Sequence, residues 1–101
     1  MPYTIQFIYT VPGGTKFRQY YLQLTWTDST DPNAASENIY RSLVSGGPYT
    51  KIANVPLGVQ VYNDFNVTPL TKYFYVMTEV DNTNTESAFS AETSGTDGWI
   101  P

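Results

Sequence analysis

Apolar and polar residues alternate with a period of two along much of this chain. In the segment 3–9, Ile5, Phe7 and Tyr9 share one face, and Thr4, Gln6 and Ile8 share the other. In 17–27, Leu22, Leu24 and Trp26 alternate with Gln23 and Thr25. The run YFYVMTEVD at 73–81 is almost wholly aromatic, β-branched or otherwise strand-compatible. Further short strands are predicted at 37–43, 49–53, 59–63, 72–80 and 90–95. Breakers separate them: Pro12-Gly13-Gly14, the polar loop DSTDPNAAS at 28–36, Ser45-Gly46-Gly47-Pro48, Pro56 with Gly58, and DNTNTE at 81–86. No segment sustains a 3.6-residue period, so the pattern predicts almost no helix. Seven short strands at this spacing predict an all-β sandwich.

Composition narrows the chemistry. The 101 residues are enough for one self-supporting core. Cysteine and histidine are absent, which removes disulfides, Ser-His-Asp and Cys-His catalysis, and zinc held by His or Cys. The net charge of −4 argues against a nucleic-acid partner, because such binding draws on cations placed against phosphates. No apolar run is long enough for a membrane span, and the first ten residues lack the basic and apolar regions of a signal peptide. A carboxylate-pair hydrolase would need a sugar cleft between its acids, for which so small a sandwich has little room. Neither Gly-Gly pair opens a helix, so neither forms a phosphate loop. No cofactor is expected.

Several pieces carry a family likeness: LTW at 24–26, IYRS at 39–42, SGGPYTKIA at 45–53, VYND at 61–64, TKYFYVMTEVD at 71–81 and ESAFSAETSGT at 86–96. Together they resemble a fibronectin type III domain of the bacterial and phage kind over about residues 20–96. The resemblance implies an immunoglobulin-like sandwich, with a three-stranded sheet facing a four-stranded one, over 1–96 and a tail at 97–101. It implies a structural core of Leu22, Leu24, Trp26, Ile39 and Tyr73, with Tyr73 bonding back to upstream backbone as a tyrosine corner. Integrin-binding members carry Arg-Gly-Asp before the last strand; here the loop reads DNTNTE.

Two positions depart from the family pattern. Glu37 and Glu79 stand where it usually has an aromatic and a small apolar residue. Two readings are open: both carboxylates sit solvated at the rim, or they form a close pair with one raised pKa or a weak cation site with Asp81. On the expected fold, Asp28, Asp31, Glu37, Glu79, Asp81 and Glu86 gather at one end. Lys16, Arg18, Arg41, Lys51 and Lys72 gather in the opposite half. Such poles would suit docking to copies of the chain or to other proteins. Ile8 on an outward face, and Trp99 and Ile100 in the tail, are further candidate contacts, the tail either folding back or anchoring a neighbour.

The resemblance implies a non-catalytic structural or interaction module. A chain starting at Met1 without a signal looks most like a small virion structural or decoration protein of a bacteriophage, docking on other virion proteins. The alternative is an extracellular glycan-binding or spacer module from a secreted polysaccharide-degrading enzyme. Its aromatic platforms would come from Tyr40, Tyr62, Phe74 and Tyr75.

Overall fold

In the computed structural model, the backbone of Ile5–Thr10 and the whole of residues 21–97 are described. The strands are β1 (Ile5–Thr10), β2 (Leu22–Trp26), β3 (Ala34–Ser42), β4 (Thr50–Pro56), β5 (Val61–Asp64), β6 (Lys72–Asp81) and β7 (Thr93–Thr96). They pair antiparallel as a three-stranded sheet, β1-β2-β5, and a four-stranded sheet, β4-β3-β6-β7. This is the predicted all-β, fibronectin type III-like sandwich. β3 begins three residues earlier than its pattern suggests, because Ala34 and Ser36 join the ladder opposite Asp81 and Val80.

The core lies between the sheets. Leu22, Leu24 and Trp26 project from β2 onto Ile39, Val55, Tyr73, Tyr75 and Met77 of the facing sheet. Period-two alternation dictates this: the intervening Gln23 and Thr25 are only half-buried. Tyr73 forms the expected corner, its hydroxyl accepting from the Thr68 backbone N–H at 2.8 Å. Tyr73→Phe should therefore cost about 1 kcal/mol, read from the urea midpoint, because Thr68 loses its acceptor. An unchanged midpoint would remove the corner from the stability of the fold.

One end of the sandwich carries the connections 27–33, 57–60 and 82–85. The other carries 43–49 and 65–71. The segment 86–91 does not loop away from the sheet. It runs along β6, with Ser87 N–H donating to the Glu79 carbonyl and Ser90 N–H to that of Met77. The two serine hydroxyls return the contact by accepting from Glu79 N–H and Met77 N–H. This extended segment brings Glu86, Phe89 and Glu92 beside the outer face of the four-stranded sheet. Asp97 is also part of the fold: it is buried and accepts from Tyr21 N–H through Oδ2.

Candidate functional site: an aromatic and acidic outer face

Along β3, Ile39 points to the core, so Asn38 and Tyr40 point outward; along β6, Thr78 does the same. All three converge on one carboxylate. Glu86 Oε2 accepts from Asn38 Nδ2 at 3.0 Å, from the Tyr40 hydroxyl and from Thr78 Oγ1. Glu92 makes a second clamp on the β3–β4 turn. It accepts from Ser45 Oγ and Gly46 N–H, each at 2.7 Å, and from the Tyr49 hydroxyl. The turn needs its glycines. Gly46 and Gly47 hold φ of 87° and 90°, and a Cβ on Gly47 would stand 3.0 Å from Tyr49 Cδ2.

Phe89 lies between the two clamps. Its ring meets Tyr40 edge-on at 5.1 Å and Tyr49 at 5.3 Å, both at 71°. It remains 51% exposed. An apolar cluster open to solvent is thus flanked, three residues away on either side, by exposed carboxylates.

Those carboxylates are held ionised. Burial would raise the Glu86 pKa, but hydrogen bonds from Thr78, Tyr40 and Asn38, with Lys51 nearby, bring it below its ordinary 4.5. Gly46 N–H, Tyr49 and Ser45 lower that of Glu92. The phenols of Tyr40 and Tyr49 are shifted up, first by burial and then by their carboxylate partners. Depressed carboxylate pKa values stabilise the fold above the unfolded value of 4.5, and that stability is lost as pH falls through the folded value. Wild type should therefore lose more stability between pH 6 and pH 3 than Glu92→Gln does. Parallel urea-midpoint profiles for the two proteins would contradict the clamp.

The predicted poles are rearranged. Asp28, Asp31 and Asp81 do lie at one end, but each caps local structure. Asp28 accepts from Gly58 N–H at 2.7 Å and from the Trp26 indole at 3.3 Å. Asp31 takes Asn33 N–H. Asp81 takes Thr83 N–H, Thr83 Oγ1 and Thr85 N–H, which together depress its pKa. Glu86 lines one cleft with Asp31 and Asp81 and at the same time grips the outer face through Asn38, Tyr40 and Thr78.

Glu37 and Glu79 are direct partners across β3 and β6, and the solvated-rim reading is overturned: they are 0% and 3% exposed. Glu79 Oε1 lacks a hydrogen-bond partner among the described residues. A cleft of about 190 Å³ beside it is lined by Asp31, Glu79, Asp81 and Glu86. Among the described residues, no group of three or more acidic side chains is placed to hold a metal ion.

The basic pole also changes. Arg41 turns inward and gives Nη1 to both oxygens of the buried Asp64, at 2.9 and 2.7 Å. Lys51 lies in β4 opposite Tyr40, and Lys72 Nζ sits 5.4 Å from the centre of the Phe74 ring. Lys16 and Arg18 lie outside the described residues. The surface at this end is apolar, with Leu43, Val44, Phe65 and Leu70 exposed.

Of the predicted sugar platforms, Tyr75 is excluded: its ring is fully buried and its hydroxyl donates to Asp64 at 2.7 Å. Tyr62 and Phe74 are half-buried, and Tyr40 belongs to the outer cluster. Ile8 falls in β1, where only the backbone is described, and Trp99 and Ile100 lie outside the described residues. Sequence reasoning missed Tyr49, Phe89 and Glu92. The available signal was the spacing Glu86, Phe89, Glu92 once 86–91 is recognised as extended.

No family model matches the chain. A stretch of 71 residues, 70% of the chain, is 46% identical to part of an amylopullulanase from Thermoanaerobacter thermohydrosulfuricus, and that match covers 5% of the enzyme. An amylopullulanase from Thermoanaerobacterium saccharolyticum is 42% identical over 72 residues, 71% of this chain and again 5% of the relative. The chain thus spans about one twentieth of the length of these curated relatives. These matches back the accessory reading and give the virion reading no support.

Among solved structures, a beta-1,2-glucanase from Parabacteroides distasonis shares the fold with a TM-score of 0.79 at 21% identity, over 99% of this chain and 13% of that one. An Fn3-like protein from Clostridium thermocellum matches with a TM-score of 0.66 and 36% identity, over 85% of this chain and 88% of that one. On that identity and coverage, the chain belongs to the Fn3-like, fibronectin type III family.

Proposed function

We propose that this chain acts as a non-catalytic accessory module of an extracellular polysaccharide-degrading enzyme of the amylopullulanase kind. The observation that carries this reading is the 46% identity over 70% of the chain to a segment making up 5% of such an enzyme. The side chains are consistent with it. Glu37 and Glu79, register partners across β3 and β6, are buried rather than set across an open sugar cleft, as glycoside hydrolysis demands. Asp28, Asp31 and Asp81 are engaged in turn capping. Incubated with starch and with pullulan, the protein should release no reducing sugar above buffer. Sustained release by pure protein, abolished by Glu79→Gln, would overturn the non-catalytic assignment.

A further inference from the structure

We propose that Tyr40, Tyr49 and Phe89, with Glu86 and Glu92, form a binding site for a neutral glucan chain. The inference rests on the accessory reading and gives it a location and a ligand class.

The side chains present two complementary chemistries. A glucose ring has a face of C–H groups and a rim of hydroxyls. The C–H face packs on aromatic carbon, whose π-electrons attract the weakly positive hydrogens. The hydroxyls need acceptors, and a carboxylate is the strongest available. Phe89 offers solvent-open aromatic surface, and the rings of Tyr40 and Tyr49 extend it on both sides at 5.1 and 5.3 Å. Glu86 and Glu92 are both exposed and bracket the rings at three residues' distance.

The arrangement is also held in place before any ligand arrives. Glu86 is fixed from β3 and β6 by three donors, and Glu92 from the β3–β4 turn by three more. A ligand therefore meets a surface whose ordering cost has already been met by folding.

Other occupants fit less well. Protein interfaces concentrate aromatic residues but deplete glutamate near their centres, because a buried unpaired carboxylate is costly. Here two carboxylates flank the most exposed ring. Nucleic acid and anionic glycans would be repelled by the same charges. A neutral polyhydroxyl chain satisfies the rings and the carboxylates together.

The test is an amide-shift titration of the whole protein with maltoheptaose, followed by affinity measurements on variants. Shifts should concentrate at residues 40, 49 and 86–92. Phe89→Ala should weaken binding at least tenfold, and Val61→Ala, exposed on β5 of the three-stranded sheet, should leave it unchanged. Should Phe89→Ala fail to fold, the wild-type shift map alone decides. No shifts at saturating millimolar glucan, or shifts confined to another surface, would overturn the site. Those results would leave the accessory reading standing, since that reading is judged by hydrolysis and by function within an enzyme.

Discussion

Asp64→Ala should destabilise the protein by about 3–5 kcal/mol, the range for removing one partner of a buried ion pair. Asp64 is 2% exposed and gathers three elements. It accepts from Arg41 of β3 through both oxygens, from the Tyr75 hydroxyl of β6 at 2.7 Å, and from Asn66 N–H at 3.1 Å. Since Asp64 ends β5, the network ties the three-stranded sheet to the four-stranded one. Its contacts also bias the partners: burial lowers the Arg41 pKa but Asp64 more than restores it, while burial and then Asp64 push the Tyr75 phenol up.

Without the carboxylate, the Arg41 guanidinium loses its counter-charge and keeps only the Asn66 carbonyl as acceptor, and the buried Tyr75 hydroxyl loses its acceptor. Against a total stability of about 5–15 kcal/mol, the loss is large. For a domain of this size it corresponds to a fall in Tm of at least about 12 °C. Tyr75→Phe, which removes one donor and leaves the ion pair, should cost only about 1 kcal/mol. The double change Arg41→Met with Asp64→Leu should be milder than Asp64→Ala alone, because no orphaned charge remains. A Tm for Asp64→Ala within error of wild type would show that the pair contributes nothing.

Trp26→Ala should cost about 3–5 kcal/mol for a different reason. The indole fills the space between the sheets, is 3% exposed, and closes the end of β2 by donating to Asp28 Oδ1 at 3.3 Å. Truncation loses apolar burial and leaves a cavity that two paired sheets cannot easily collapse. Trp26→Phe retains part of the ring and should lose less. A urea midpoint for Trp26→Ala equal to that of wild type would place this residue outside the core.

Much of the fold was legible because period two is a local signal. Leu22, Leu24 and Trp26 alternate without interruption, and their strand is buried in that alternation. Tyr73 was legible from its place just after a turn-rich loop. The site was harder to read because its partners are joined by register and not by spacing. Arg41 meets Asp64, 23 positions away, only after β3 and β5 are assigned to facing sheets. Lysine and arginine read as surface charge in sequence, yet this arginine turns inward where a carboxylate waits. Glu86 was assigned to a loop end because DNTNTE looks like a terminus of ordered pairing. Instead the chain resumes beside β6 through Ser87 and Ser90, carrying Glu86 across to Tyr40 and Asn38. Glu37 and Glu79 obey the alternation, which places both inside, but their chemistry argues for water; position prevailed over polarity.

The accessory assignment is tested most directly by exchange within the amylopullulanase of Thermoanaerobacter thermohydrosulfuricus. Its matching 71-residue stretch is replaced either by this chain or by a flexible linker of equal length, and the ratio of activity on polymeric starch to activity on a short maltooligosaccharide is measured. This chain should keep the ratio near that of the unaltered enzyme, while the linker should lower it without changing the rate on the short substrate. Equal ratios for the two replacements would contradict the account.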